Sequence, residues 1–376
     1  MRESADKLAA RTRAFARAHM RPFALAADAA KAPPPQFLAA AVAAGVGLGT
    51  ADPGGDPGFT YRDAVIAAEE LAWGDAALTL CLPGPGLGGS PLAVMGTAEQ
   101  RRRLMGMLAG PEPRWGAYAV TEPEAGSDVA AIQTTCRPVA DGFELTGTKC
   151  FITNGGRASW VLVHATVDRA LGPSGHRILA VERGTPGFEV VRVHEKLGLA
   201  ASETVDLRFD GCRVPRENLL GGDAAYQERS GGFKAAMRTF DLTRPVVAAM
   251  AVGIGRAALE AAAEHLGEGG AEGDRLRLRE VTRRLEAARV LVRRAAYLAD
   301  TLSPSGAAAA AAKVSAARAA QEACVLALEV VGLSDPERSP LVAKWLRDVR
   351  VFDIFEGTGQ IQRLIIARSL LAGAGP

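Results

Sequence analysis

Val351-Phe352-Asp353-Ile354-Phe355-Glu356-Gly357-Thr358-Gly359-Gln360-Ile361-Gln362-Arg363 sets one carboxylate between an apolar run and a Gly-Thr-Gly turn. Beyond the turn, Ile361, Leu364, Ile365 and Leu371 fall near one face at helical spacing while Arg363 and Arg368 face outward, so the turn opens a helix. Flanked by Ile354 and Phe355, Glu356 is expected to be partly desolvated, which favours its neutral form and raises its pKa. Such a shift makes a weak carboxylate base able to take a proton near neutral pH. The plainer reading of a lone Glu beside a Gly is an exposed turn residue. The rest of the chain decides between them.

Working outward, residues 222–376 read as helical. Phe233 to His265 forms one long helix or two, interrupted at most near Pro245, and Arg275 to Thr301 forms the next. Ser303-Pro304 looks like an N-cap and first-turn proline opening an alanine-rich helix to about Val331. Residues 113–221 change to short strands: Trp115–Thr121, Gly142–Thr146, Trp160–Thr166, Arg177–Val181, Phe188–Val193 and Thr204–Phe209, with Gly/Pro/Asp turns between, among them Asp210-Gly211. They suggest a closed or sandwiched β domain. Residues 1–112 are again helical. One helix carries Leu8, Thr12, Phe15 and His19 and ends at Pro22. A second restarts after Pro33-Pro34-Pro35 and stops at Gly45. A loop from Asp52 to Gly58 follows, then a third helix over Ala64 to Trp73. The class is α+β.

At 376 residues the chain holds two or three domains, and no apolar run approaches a bilayer's thickness. The charged N-terminus has no signal-peptide core, so a cytoplasmic protein is expected. A net charge of +2 gives no case for nucleic acid. Five scattered cysteines without CxxC, and five histidines without ligand spacing, point to neither a metal nor a disulfide framework. Gly84-Pro85-Gly86-Leu87-Gly88-Gly89 matches a dinucleotide fingerprint. Its prolines stiffen the turn, no βαβ rhythm surrounds it, and the nearest acid, Glu99, is too close, so a small-residue break between two helices is preferred.

Tyr118-Ala119-Val120-Thr121-Glu122-Pro123-Glu124-Ala125-Gly126-Ser127-Asp128 resembles the Y-x-V-T-E-P-x-A-G-S-D signature of the acyl-CoA dehydrogenases. Phe151-Ile152-Thr153-Asn154-Gly155-Gly156 is similar to their W-I-T-N-G-G, and Val214-Pro215-Arg216-Glu217-Asn218-Leu219-Leu220 to their V-P-x-E-N-L-L. Phe240-Asp241-Leu242-Thr243-Arg244-Pro245 resembles the F-D-x-T-R-P of medium-chain members, and the opening stretch their Y-E-G-T-x-Q-I-Q-R. The motifs run in family order along the whole chain.

The resemblance implies an N-terminal helical domain, a β-barrel-like middle domain and a C-terminal four-helix bundle. It also implies an FAD-dependent enzyme that removes an α-proton and a β-hydride from a short or medium acyl thioester, on coenzyme A or an acyl-carrier protein. Glu356 would be the catalytic base and flavin N5 the hydride acceptor. Backbone groups of Tyr118, Val120 and Thr121, the Thr153 hydroxyl, and Gly126, Ser127, Ile152, Gly332, Thr358 and Gln360 would contact FAD, with the Phe151 ring where the family has Trp. Ser127, Asp241, Arg244 and Gly357 would hold substrate, although a surface ion pair between Asp241 and Arg244 is the plainer reading. The Glu356 backbone N–H would polarise the thioester carbonyl. Electron-transferring flavoprotein as acceptor, and a homodimer or homotetramer with a heteromer as the alternative, complete the implied partners; no membrane or nucleic acid is implied.

Besides Phe151, the C-terminal region departs from the family at Glu329, at Leu333, which stands for a Gly, and over a whole segment. Glu329 stands for a neutral Gln in the segment that meets a neighbouring subunit's FAD, where a carboxylate repels phosphate unless it turns away. The R-x-x-F-G segment that grips the FAD pyrophosphate is absent from His265–Asp274. Arg275, Arg277 and Arg279 are candidates to compensate; the other reading is a solvated face with Leu276, Val281, Leu285 and Val292 inward. A scaffold subunit poor in FAD, or an oxidase, are therefore the alternative functions. No Lys or Arg lies between Leu71 and Ser90, and Leu80, Leu82 and Pro83 suggest an apolar floor, which disfavours a carboxylated acyl tail.

Overall fold

The computed structural model describes residues 4–47, 59–228, 230–267, 269–301, 305–333 and 335–373. Helix α1 (Ala5–His19) opens on Ser4, whose hydroxyl accepts the Lys7 amide, and Pro22 lies in the 3₁₀ turn that follows. An unanticipated short helix, α2 (Ala24–Ala30), precedes α3 (Pro35–Ala44), which starts on the third proline and ends on Gly45 at φ 60°. α4 (Tyr61–Cys81) outruns the Ala64–Trp73 periodicity because it is buried on nearly every face, so its later turns carry no stripe. A Thr60–Asp63 capping box starts α4, and it kinks at Asp75. The Gly84–Gly89 stretch is the expected break, leading into α5 (Gly89–Met95) and α6 (Ala98–Gly106). A Cβ on Gly88 would stand 2.7 Å from both the Ala117 carbonyl oxygen and the Trp160 ring, so glycine lets the break press against the sheet. The Asp52–Gly58 loop and the Ser303-Pro304 helix start lie outside the described residues.

The sheet comprises β1 (Trp115–Ala119), β2 (Thr135–Val139), β3 (Gly142–Thr153), β4 (Ala158–Thr166), β5 (His176–Glu182), β6 (Phe188–Val193) and β7 (Thr204–Pro215). Its order is β1-β4-β2-β3-β7-β6, with β5 paired to β4. It is a curled sheet rather than two stacked ones, filled by Phe143, Leu145, Ile152, Val163, Leu207 and Phe209. β2 escaped the sequence reading because Arg137 and Pro138 break its apolar alternation. Asp210-Gly211, expected as a turn, lies inside β7, opposite a register shift between Leu145 and Gly147. Gly147 (φ 153°) and Gly211 (φ 60°) absorb that irregularity, which is why a turn signal occurs mid-strand.

After α7 (Gly222–Gln227), α8 (Gly231–Leu266) runs unbroken through Pro245. Then come α9 (Glu272–Asp300), α10 (Gly306–Val331), α11 (Ser339–Val349), a 3₁₀ turn over Arg350–Asp353, and α12 (Gly359–Gly373). Although no membrane-length run was expected, α8 is long and apolar enough for one; 72% of its most apolar window is buried in the protein. Leu71, Met250, Ile254, Leu285, Trp345 and Phe352 belong to one core, so helices before and after the sheet pack as one body. A separate cluster with Leu92, Leu104, Trp160 and Ile178 seats the sheet on α5, α6 and α8. The expected apolar stripe of α12 is only partly covered within the chain: Ile361 and Ile365 are half-buried, Leu364 and Leu371 are exposed, and polar Gln362 is fully buried. Leu276 on α9 is likewise exposed, whereas Leu285 and Val292 point inward as expected.

Candidate active site

Glu356 sits between the 3₁₀ turn and α12 with φ 58°, and Gly357 follows at φ 88°. A left-handed glutamate costs about 1–2 kcal/mol, so its surroundings must impose it. They do so by drawing both carbonyls of the turn inward. The Glu356 carbonyl accepts from Arg244 Nε (3.3 Å) and Gln362 Nε2 (3.1 Å), and the Gly357 carbonyl from Gln362 Nε2 (2.8 Å) and Lys313 Nζ. Among the described residues the amides of Glu356, Gly357 and Thr358 donate to no group of the chain. Three adjacent free N–H groups make a receptor for a polarised carbonyl or an anion.

The carboxylate itself is directed at α8, where Thr243 Oγ1 donates to Glu356 Oε2 at 2.8 Å. Burial raises the carboxyl above its ordinary pKa, against the Thr243 hydrogen bond and the cations Arg244 and Lys313. The expected shift is therefore present, but its source differs from the sequence reading: Ile354 is exposed, and α8 and α10 enclose the group. Arg244 is only 5% exposed, which excludes the surface ion pair as its role. It donates to Asp241 Oδ1 at 2.8 Å while Nε holds the Glu356 carbonyl. Burial lowers the Arg244 guanidinium and raises the Asp241 carboxyl.

Across from this turn stands the end of β1. Burial, then the charge of Glu356, pushes the Tyr118 hydroxyl up. The Tyr118 side chain turns inward to His164 Nδ1 (3.3 Å), and His164 Nε2 meets His176 Nδ1 (3.0 Å). Burial holds both imidazoles neutral, His176 at about 4 and His164 well below its ordinary value. Val120 is braced by Lys149, whose ammonium donates to its carbonyl (2.8 Å) and to Glu122 Oε1 (2.7 Å); burial brings that lysine to about 8. Glu122 also accepts the Gln133 and Thr134 amides, so the glutamate of the T-E-P motif fixes the loop.

Cys150 N donates to the Thr121 carbonyl at 2.9 Å, bringing β3 alongside. Phe151 is 63% exposed at φ 59°, packed on His194 with ring centroids 4.8 Å apart. Asp206 fixes both, accepting the Phe151 amide (3.2 Å) and His194 Nε2 (2.6 Å). The Ile152 side chain is in the sheet interior and only its backbone is available, whereas Thr153 is half-buried at the strand end. Asn154 (φ 57°) donates to the Leu80 carbonyl at 2.9 Å, which joins the strand end to α4; its Oδ1 is buried without a partner. Phe151, Asn154 and Glu356 are three of six non-glycine residues described at positive φ, a concentration of backbone strain expected of a functional site.

Gly126 and Ser127 occupy an exposed loop, and Gln360 is exposed beside half-buried Thr358, which caps the Ile361 amide. Gly332 ends α10 at φ 67°, roughly five turns or about 28 Å beyond Lys313, so it is set apart from Glu356 within one chain. The arginines weighed as compensation are already engaged. Arg277 bonds Glu329, Arg279 bonds Glu272 at 2.8 Å, and Arg275 donates to the Gly267 carbonyl at 3.2 Å. Glu329 therefore turns toward α9. A groove of about 520 Å³ between α9, α10 and α12 reaches the turn only through Asp353 and Arg363. Sequence reasoning missed Lys313, Gln362, His164, His176 and Asp206; a lone lysine in an alanine run was the one available signal.

Three family models match in succession: the acyl-CoA dehydrogenase N-terminal domain over residues 2–112, the middle domain over 117–212 and the C-terminal domain over 230–371. The chain belongs to the acyl-CoA dehydrogenase family, FAD-dependent oxidoreductases of fatty acid metabolism. It is 34% identical over 379 aligned residues to the probable acyl-CoA dehydrogenase FadE25 of Mycobacterium leprae, covering 98% of this chain and 96% of that one. Butyryl-CoA dehydrogenase from Megasphaera elsdenii superposes with a TM-score of 0.88 at 30% identity over 98% of each chain. A glutaryl-coenzyme A dehydrogenase solved with glutaryl-CoA superposes at 0.89 with 28% identity, over 99% of this chain and 96% of that one.

Proposed function

We propose that this chain catalyses FAD-dependent α,β-dehydrogenation of a short or medium acyl thioester, with Glu356 as the base that removes the α-proton. The observation that carries the reading is the turn itself: a carboxylate raised by burial and followed by amides with no acceptor of their own. The Glu356 amide would receive the thioester carbonyl and acidify the α-carbon, leaving the carboxylate to take the proton. Bound FAD would supply the acceptor for the β-hydride. The isoalloxazine end fits the residues present: the braced Val120–Thr121 strand end, the exposed Phe151 ring, Thr153, and the loop with Gly126 and Ser127. Thr358, Gln360 and, from a second copy, Gly332 are proposed for the rest of FAD, and Ser127, Asp241, Arg244 and Gly357 for the coenzyme part of the substrate. The proposed domains are 1–112, 113–221 and 222–376. An acyl-carrier thioester, electron-transferring flavoprotein as acceptor, a homodimer or homotetramer, and a cytoplasmic location belong to the same reading.

Buried Leu82 and partly buried Leu80 support an apolar acyl floor, in keeping with a butyryl rather than a glutaryl tail. Anaerobic addition of butyryl-CoA or octanoyl-CoA to the FAD-loaded protein is expected to bleach its visible absorption, and glutaryl-CoA to leave it. Protein that stays colourless after incubation with FAD would overturn the reading. One observation favours the scaffold alternative, namely that Arg275, Arg277 and Arg279 are all engaged within the chain. It yields a direct test. Glu329→Gln releases Arg277 from one of its two carboxylates, leaving Asp274, and removes a negative charge, so FAD is expected to bind about two- to fivefold tighter, the scale of one exposed ion pair, as read by flavin fluorescence titration.

A further inference from the structure

We infer that Lys313 is a positioning residue for the base: its buried ammonium holds the Gly357 carbonyl and so fixes the left-handed turn from which Glu356 is presented. The inference rests on the reading of Glu356 as the base. In α10 the side chains of Ala307 to Ala312 are all alanine, and the next residue is a lysine 1% exposed. Burying an ammonium is costly unless its charge is satisfied, and no carboxylate lies within 4.0 Å of Lys313 among the described residues. Its hydrogen bond goes instead to Gly357.

That bond has a geometric consequence. In a trans peptide the C=O and the following N–H point in opposite directions. Drawing the Glu356 carbonyl to Arg244 and Gln362, and the Gly357 carbonyl to Lys313 and Gln362, turns the Gly357 and Thr358 amides the other way. These are two of the three amides without an acceptor. Without the ammonium, Gln362 Nε2 alone serves the Gly357 carbonyl while also serving Glu356, and the glutamate held at φ 58° keeps only the Arg244, Gln362 and Thr243 contacts against relaxation.

The same ammonium acts on the charge of the site. The groups facing Lys313 are Glu356 and Asp353, which support its charge, and Arg244, which opposes it; burial outweighs them and brings it to about 8. Glu356 faces Arg244, Lys313, the Thr243 hydroxyl and, across the site, the Tyr118 hydroxyl, while Asp241 is occupied with Arg244. Losing the Lys313 cation therefore moves the Glu356 titration to higher pH.

The test uses the FAD-loaded enzyme and a 3-thia-acyl-CoA, which has an acidic α-C–H but no β-hydride to lose. Solvent deuterium entering the α-carbon is measured against pH, together with amide hydrogen exchange over residues 354–362. The unsubstituted enzyme is expected to show an acid limb from Glu356 and a second inflection near 8 from Lys313. In Lys313→Met the acid limb moves up, the inflection near 8 vanishes, and deuterium entry at pH values on that limb falls about tenfold for each unit of the movement. Amide exchange in the turn becomes faster. In Lys313→Arg, which keeps a charge that does not titrate, the acid limb stays near its original place and only the inflection near 8 is lost. Should Lys313→Met not fold, Lys313→Arg carries the test, and an inflection near 8 that survives in it overturns the inference. So does a Lys313→Met enzyme with unchanged pH profile and turn protection, provided Glu356→Gln abolishes deuterium entry. Entry that survives in Glu356→Gln overturns the base assignment and the positioning role together.

Discussion

Glu356→Gln is expected to lower the rate of acyl-CoA dehydrogenation by about 10³- to 10⁴-fold, the upper range of what a placed general base contributes. Gln keeps the shape of the side chain and an oxygen able to accept the Thr243 hydroxyl, and the turn's carbonyl contacts come from the backbone. Acyl-CoA affinity should therefore change less than about fivefold, and the loss should fall on kcat. The same change carries a stability signature of opposite sign. Burial raises the folded-state pKa of Glu356 above its unfolded value, so between those two values the folded state binds more protons. That contribution to stability is present below the unfolded pKa and is lost as pH rises through the folded one. Gln has no ionised form to shelter, so the variant should melt above wild type at pH 7–8, with the difference shrinking as pH falls toward 4. A variant that loses activity and stability together would mean that the carboxylate braces the fold. Loss of activity with a gain in stability is the mark of a functional group held at a cost.

Much of this arrangement was legible in order and little of it in depth. The sequence of helices, sheet and helices follows from where a 3.6-residue repeat gives way to short apolar runs, and the loop motifs at Tyr118–Asp128, Phe151–Gly156 and Val351–Arg363 locate the site. Turns inside strands misled, because Gly211 permits a bulge as readily as it ends a strand. Burial was harder still. Leu364 and Leu371 have helical spacing yet face outward, since periodicity reports an apolar face without saying what covers it. The donors that hold the Glu356 turn come from residues 244, 313 and 362, and only the packing of α8 against α10 and α10 against α12 brings them together. Spacing along the chain contains no trace of that convergence.

The joint between the helical regions rests on a second buried lysine, and here the expected effect is on stability. Lys344 on α11 lies 2.5 Å from Asp75 Oδ2 at the kink of α4 and 2.5 Å from Asp348 Oδ2, all three fully buried. Asp75 also accepts the Leu78 amide (2.8 Å), restarting α4 after the kink, and Asp348 accepts the Leu199 amide (2.6 Å) beyond β6. One ammonium thus ties the first helical region to the last, and through Asp348 to the sheet. Burial alone would lower Lys344, but the two carboxylates outweigh it and hold the lysine well above its ordinary value. Burial and the charge of Asp75 raise Asp348, against the pull of Lys344. Lys344→Met leaves two carboxylates without a cation in a dry core, a loss of about 3–5 kcal/mol. Thermal unfolding should come about 4–6 °C earlier. The deficit should shrink as pH falls, because Asp348, raised by burial and now without its cation, takes up a proton in the folded state before the unfolded one. Adding Asp75→Asn and Asp348→Asn removes the stranded charge while Asn still caps the restarted helix, so the triple variant should recover most of the loss in chemical denaturation. Failure to recover would place the contribution in the lysine's packing and hydrogen bonds, whereas recovery places it in charge balance. The lysine is then needed only because the carboxylates are there, and the carboxylates because α4 must restart and the loop at Leu199 must be held.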